Sequence, residues 1–255
     1  MAGFLKKGAD SKKLAETEKA QAEIRKNEQG KPWRFSLKKE ESAFITFVDG
    51  EVDHEGFLVP PRLYEHNLKI AGKWGNLFVC PEQSEPEAGH KCPICATGDR
   101  PTLYSAFTVI DHRVTSSKDG TKTYQDQRRL MMATPTTYEL LFKHAQKRGG
   151  LAGARFEVSR SADGFSPAAG DFFDFEEKTP LEELKGKWVN EYTKDGEKVK
   201  EDQFTVIDYD NAFNYYTPDE LLAMPMFGGN GAATNQATAA KTTTDVAPVD
   251  YEDQL

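Results

Sequence analysis

Three cysteines and two histidines carry the most specific chemistry in the chain. Cys80, Cys92 and Cys95 fall within sixteen residues, the last two as Cys92-Pro93-Ile94-Cys95, with His66 upstream and His90 inside the intervening loop. A Cys-x2-Cys turn points both sulfurs at one centre, and zinc takes four tetrahedral thiolate or imidazole ligands. Cys80 and one histidine would complete a Cys3His set. His66 reaches it if residues 67–79 form a hairpin whose open end brings His66 beside Cys80. His90 needs only the local loop, but a His-x-Cys chelate beside a second cysteine pair is sterically tight. Spacing favours His66 and keeps His90 as the alternative fourth ligand. Four protein ligands leave no open position for a reactive water, so one zinc held here would be structural and no enzyme is expected.

Other chemistries fit these residues less well. An odd number of thiols argues against a disulfide framework. Residues 81–89 form an acidic loop containing Glu82, Glu85 and Glu87, where a glutaredoxin-like redox pair needs a strand. The His-x-Glu and Pro-Cys-x-x-Cys signatures of a zinc deaminase are absent. No Gly-x4-Gly-Lys-Ser/Thr phosphate loop occurs, and pairs such as Glu176-Glu177 and Glu182-Glu183 read as solvated faces rather than a metal-binding carboxylate constellation.

The elements that must position these residues are mostly short strands. Alternating β-prone runs predict strands over 43–48, 56–59, 104–110, 123–134, 154–158, 171–175 and 204–207, with Asp119-Gly120 and Asp195-Gly196 as hairpin turns. Phe44 and Phe107 sit in largely apolar runs and are expected in the core. A helix is predicted over 137–148, stopped by Gly149-Gly150, and two more begin at Thr179-Pro180-Leu181-Glu182 and Thr217-Pro218-Asp219-Glu220. Each of those places Thr at the N-cap, Pro at N1 and Glu at N3. The fold class is mainly β with a few helices, a barrel or sandwich carrying insertions.

Composition marks off the two ends. Residues 1–30 read as a basic arm with Lys6-Lys7 and Lys12-Lys13 and a helix-favouring run over 11–26 whose apolar stripe is too thin to bury much area. Residues 31–227 form the core, with a zinc subdomain at about 60–100. Residues 228–255 read as a flexible linker of Gly, Ala, Thr and Asn followed by an acidic tip. No apolar run approaches the roughly 20 residues of a membrane-spanning helix. The first residues lack the apolar segment of a secretion signal, so a soluble intracellular protein is expected.

The formal net charge of −8 argues at first against a polyanionic partner. Its distribution reverses that inference. Residues 1–40 carry +5, residues 41–61 carry −5, residues 62–160 carry +5 and residues 161–255 carry −13. Only −3 of the last figure belongs to residues 228–255, so most of the acid lies inside the folded region.

His66, then Gly72-Lys73-Trp74, Cys80 and Cys92-Pro93-Ile94-Cys95 stand in the order and nearly the spacing of a known pattern. The chain here resembles the zinc-containing single-stranded DNA-binding proteins of tailed phages, the helix-destabilising type of the T-even phages. The resemblance is specific over about residues 60–100 and architectural elsewhere. It implies an OB-fold barrel with a zinc subdomain that binds and protects single strands without sequence preference in phage replication, recombination and repair, in the cytoplasm of a host bacterium. It also implies self-association along DNA through the arm at Lys6, Lys7, Lys12 and Lys13. The acidic tail, at Asp250, Tyr251, Glu252, Asp253 and Leu255, is expected to recruit replication and recombination proteins.

Such a binder needs cations along the phosphates and aromatic faces for the bases. Candidates are Arg62 and Tyr64, Lys69, Lys73 and Trp74 on the expected hairpin, Arg113 after one strand, and Lys122, Tyr124, Arg128 and Arg129 on the next. Two other classes remain open: a zinc-bearing nuclease or recombination enzyme, and a zinc-ribbon module for protein interaction or transcription.

Overall fold

The structure, a computed structural model, describes Lys12, Ala15, Glu18 and residues 30–70, 72–117, 120–194 and 197–224. The described elements in chain order are β1 (Ser42–Phe47), β2 (Arg62–Ile70), β3 (Lys73–Val79), α1 (Pro81–Ser84), a 3-10 turn (Pro86–Ala88), α2 (Pro93–Ala96), β4 (Thr102–Asp111), β5 (Thr115–Ser116), β6 (Thr123–Tyr124), β7 (Gln127–Ala133), α3 (Pro135–Arg148), β8 (Ala154–Ser159), β9 (Phe172–Lys178), α4 (Leu181–Leu184), β10 (Val189–Lys194), β11 (Glu197–Asp202), α5 (Tyr209–Ala212) and α6 (Pro218–Ala223). The protein is mainly β with few helices, as the turn-punctuated sequence predicts. No described helix is long and apolar enough to cross a membrane. The chain divides into two compact units. Among the described residues one contains Pro32–Arg62 and Leu103–Ala212; the other contains Leu63–Thr102 and residues 213–224.

The larger unit is built on an antiparallel sheet in the order β7-β4-β1-β8-β9. Period-two patterning sets its inner face: Ala43, Ile45 and Phe47 of β1 and Ala154, Phe156 and Val158 of β8 are buried. Phe47 lies edge-on to both Phe107 and Phe156, at 5.7 and 5.6 Å between ring centroids. β4 reads as a nearly unbroken apolar run because its second face is covered as well. There Val48 and Ile110 pack with Leu184, Phe204 and Trp188. Phe107 is in the core as expected, whereas Phe44 points outward, 37% exposed, with the Arg155 guanidinium 4.9 Å above its ring. Burial of Ala43, Ile45 and Phe47 on one face leaves Phe44 to the other.

α3 starts and stops as its sequence dictates. Thr134 accepts a hydrogen bond from the Thr137 amide, Pro135 occupies N1, and Gly149 closes the helix in the left-handed region (φ 63°). Lys178 Nζ donates to the carbonyls of Arg148, Gly149 and Gly150 at 2.8–3.3 Å, which satisfies oxygens the helix end exposes.

Several expected elements differ. In this unit the sheet is open among the described residues, with β7 and β9 as its ends and no closed barrel, so the expected OB-fold-like barrel is not borne out by it; Trp33–Phe35 runs beside β7, through Leu130 N to Trp33 O and Phe35 N to Leu130 O. The 56–59 strand reduces to a single bridge between Val52 and Leu58, because the Asp53 carboxylate accepts from the Glu55 and Phe57 amides and folds the chain into a turn. The 123–134 strand breaks at Asp126, whose φ of 52° turns the chain while its carboxylate holds His112 Nδ1 at 2.6 Å. Residues 204–207 are irregular, their amides taken by Asp202 (Phe204) and Thr108 (Ile207). The β10–β11 hairpin lies upstream of them, and its Asp195-Gly196 turn falls outside the described residues. Thr217 forms a full capping box with Glu220. Thr179 caps nothing: α4 begins after Pro180 and has no side-chain cap.

Lys12, Ala15 and Glu18 are helical, in keeping with the expected arm helix. Lys6, Lys7 and Lys13 of the arm lie outside the described residues, as do Asp250, Tyr251, Glu252, Asp253 and Leu255 of the tail.

Candidate metal centre

The smaller unit uses one local turn twice. Cys80 and Cys92 each precede a proline, which disfavours helical backbone at the residue before it. They accordingly adopt nearly the same extended conformation (φ −77°, ψ 112° and φ −83°, ψ 118°), and each is followed by a single helical turn, α1 or α2. The Ser84 amide donates to Cys80 O, and the Ala96 amide to Cys92 O. Cys95 lies on α2, where the turn brings its sulfur toward the same centre.

The fourth donor comes from the hairpin. β2 and β3 pair antiparallel with His66 opposite Phe78, which leaves His66 on the side of Cys80 at the end of β3. The donor atoms of His66, Cys80, Cys92 and Cys95 all lie within 4.8 Å of one another. His66 Nε2 is 3.5 Å from Cys92 Sγ and 3.6 Å from Cys95 Sγ; Cys80 Sγ is 3.6 Å from Cys95 Sγ. A tetrahedral ion with bonds of zinc length, about 2.3 Å to sulfur and about 2.0 Å to nitrogen, sets sulfurs about 3.8 Å apart and sulfur and nitrogen about 3.5 Å apart. The cluster has the size of such a coordination shell and could hold a metal ion. His90 stays exposed and out of the cluster, against Tyr215, Tyr216 and the start of α6. Of the two histidine candidates, the fold gathers His66.

The surroundings fit a cation. His66 is fully buried, and its Nδ1 lies 2.5 Å from Asp99 Oδ1. With the proton on Nδ1 donated to Asp99, the Nε2 lone pair faces the three sulfurs, the arrangement that orients metal-bound histidines. Burial pushes the Cys92 and Cys95 thiols up, and the Cys80 sulfur adds to the shift at both, whereas the Cys95 side chain offsets part of it at Cys92. Three crowded thiols cannot all ionise without a compensating positive charge, which a divalent ion supplies. Glu82 ties the two turns together: its carboxylate accepts from the Cys92 amide and from Lys91 Nζ, both at 3.0 Å, which holds it below its ordinary pKa.

Around the cluster lies a small apolar core of Ile70, Phe78, Ile94 and Leu221. Leu221 comes from α6, so this unit extends beyond the 60–100 region to the chain after residue 213. Tyr64 packs against that core rather than standing clear as a stacking face. Lys69 and Trp74 are exposed, with the Lys69 ammonium 5.9 Å from the indole centroid. The Lys73 side chain falls outside the described residues.

In the larger unit the remaining candidates divide into free and engaged. Lys122 and Tyr124 are exposed, and Arg62 is exposed with its guanidinium 3.9 Å over the Tyr138 ring. Arg113 is held structurally: it chelates Asp111, pairs with Glu41 at 2.8 Å and donates to Ser36 O. Arg128 is bound to Glu201 and Thr205. Arg129 is buried, 4.8 Å from the ring of Trp33. Asp99, Glu82 and Trp33 were not among the sequence candidates. A carboxylate behind a ligating histidine has no fixed spacing from it, and Trp33 stands just beyond the Gly30-Lys31-Pro32 break.

Comparison with protein-family models gave no match, and comparison with curated proteins gave none either. By its own geometry the chain is a mainly β protein with a buried Cys3His cluster able to hold a metal ion.

Proposed function

We propose that this protein binds single-stranded DNA without sequence preference, carries one structural zinc at His66, Cys80, Cys92 and Cys95, and serves phage DNA replication, recombination and repair. The observation that carries the proposal is the convergence of those four residues. They are the residues on which the resemblance to the zinc-containing phage proteins rests, and a chance spacing match has no reason to bring a strand histidine and three loop thiols into one buried, carboxylate-backed cluster. Exposed aromatic rings beside cations, Trp74 with Lys69 and Trp33 with Arg129, supply the two ingredients of single-strand binding. The sulfur-rich ligand set favours zinc over the hard cations, which take oxygen. Relation of the open sheet to an OB-fold, self-association through the basic arm, recruitment of replication proteins by the acidic tail and action in a bacterial host's cytoplasm belong to the same proposal and rest on the resemblance.

The test is a fluorescence titration of the full chain with an oligothymidylate and with a duplex of the same length, at two salt concentrations. Strong quenching by the single strand, weakening as salt rises, is expected. Equal affinity for single strand and duplex would sink the proposal.

A further inference from the structure

Arg129 presents an unusual imbalance. Its side chain is nine-tenths buried on β7, yet its guanidinium makes no hydrogen bond to any described residue. The nearby Asp111 is occupied, with both carboxylate oxygens bound to Arg113. Arg113 itself contributes repulsion rather than relief. None of its nitrogens is among the fully buried atoms that lack a hydrogen-bond partner, so its donors open to the surface, where an incoming acceptor can reach them. Its cover is Trp33, whose ring centroid lies 4.8 Å from the guanidinium carbon and whose side chain is 51% exposed. Trp33 is no mobile surface group, because Leu130 N to Trp33 O and Phe35 N to Leu130 O, both 2.9 Å, fix its backbone beside β7.

We propose that Trp33 and Arg129 form a one-nucleotide site: a base of a single strand stacks on the exposed part of the indole, and an adjoining phosphate oxygen accepts hydrogen bonds from Arg129. The inference rests on the single-strand reading above and adds to it a residue, Trp33, and a division of labour. A planar guanidinium suits a phosphate, which can accept two parallel N–H donors at once. The indole is pre-positioned, so stacking costs little ordering. The acidic loop around Phe57, with Glu51, Asp53 and Glu55, is by contrast a poor place for phosphate although its aromatic ring is equally exposed.

The full chain and its W33A, W33F and R129M variants would be titrated with an oligothymidylate across a salt series, with melting temperature and zinc content measured alongside. W33A is expected to weaken binding about ten-fold or more with zinc content unchanged, and W33F to recover most of the loss. R129M is expected to reduce the slope of log affinity against log salt by about 0.7, one phosphate contact on a single strand. If wild type binds and both W33A and R129M match it in affinity and slope, this site is overturned while the single-strand reading stands. If wild type itself does not bind the oligonucleotide, both fall. Should R129M fail to fold, the half-exposed Trp33 still decides the matter through W33A against W33F.

Discussion

The two units hold themselves together by different means. The sheet unit buries eighteen core residues that pack around Phe47, Phe107 and Phe156. The apolar cluster around the candidate metal site holds six buried residues, of which two are cysteines of the site itself. Burying a large apolar side chain contributes about 1.5–3 kcal/mol, so the sheet unit draws far more support from apolar burial than the cluster around the cysteines does. A structural zinc held by the four residues, as proposed above, would add about 10 kcal/mol or more of folding free energy at neutral pH. On that proposal one unit leans on exclusion of water and the other on ligation.

The sharpest way to break that comparison is to remove the metal. Chelation, or C92S and C95S together, is expected to abolish bound zinc and the protected amides of β2 and β3 while leaving those of β1, β4 and β8 protected in hydrogen exchange. An intact hairpin in metal-free protein would show that its apolar residues suffice alone. The reciprocal test is F156A. Phe156 is fully buried and meets Phe47, Phe173 and Phe175 edge-on, so its loss should cost about 3–5 kcal/mol in denaturant unfolding of the sheet unit. Zinc stoichiometry should not change, and a parallel loss of zinc would mean that the two units do not stand on separate supports.

A smaller effect separates them by pH. Asp49 is buried in the sheet unit, where it accepts from the Thr108 amide and from Tyr209 Oη. Burial raises its pKa to about 6 despite those bonds. The folded state therefore holds the Asp49 proton more tightly than the unfolded chain. No penalty exists below about pH 4; it grows from pH 4 to 6 and levels off above, reaching about 3 kcal/mol. D49N, which has no proton to lose, should gain stability relative to wild type by up to that amount between pH 4 and 7. Loss of metal in acid is common to both proteins and cancels in the difference. A stability gap constant with pH would contradict the assignment.

Local chemistry was legible in the sequence where it is self-contained. The Cys92-x2-Cys95 turn, the Thr217 capping box, the Gly149 end of α3 and the hairpin joining His66 to Cys80 all follow from residues a few positions apart, whereas α3 begins at Pro135, two residues before the expected start. What failed to show depends on tertiary partners. Thr179-Pro180 has the same pattern as Thr217-Pro218, yet the Thr179 amide donates to Gly153 O and its backbone is held by the sheet. A Cβ at Gly153 would come within 2.3 Å of Thr179 O, so only glycine permits that approach. Arg113 and Arg128 looked available for phosphate because sequence does not display Asp111, Glu41 and Glu201 folded against them. Phe44 lay in an apolar run, and only the register of β1 decides which face it takes.

That dependence on register gives the metal cluster a second meaning. Three of its donors come from turns that any local folding of residues 80–96 would bring near one another, but His66 joins them only when β2 and β3 pair with His66 across from Phe78. A slip of one residue would turn the imidazole to the opposite face and leave three thiols without their fourth partner. With the proposed metal bound, ligation would act as a proofreader of the hairpin, since a mispaired strand could not close the coordination shell and the correctly paired one would be trapped by it.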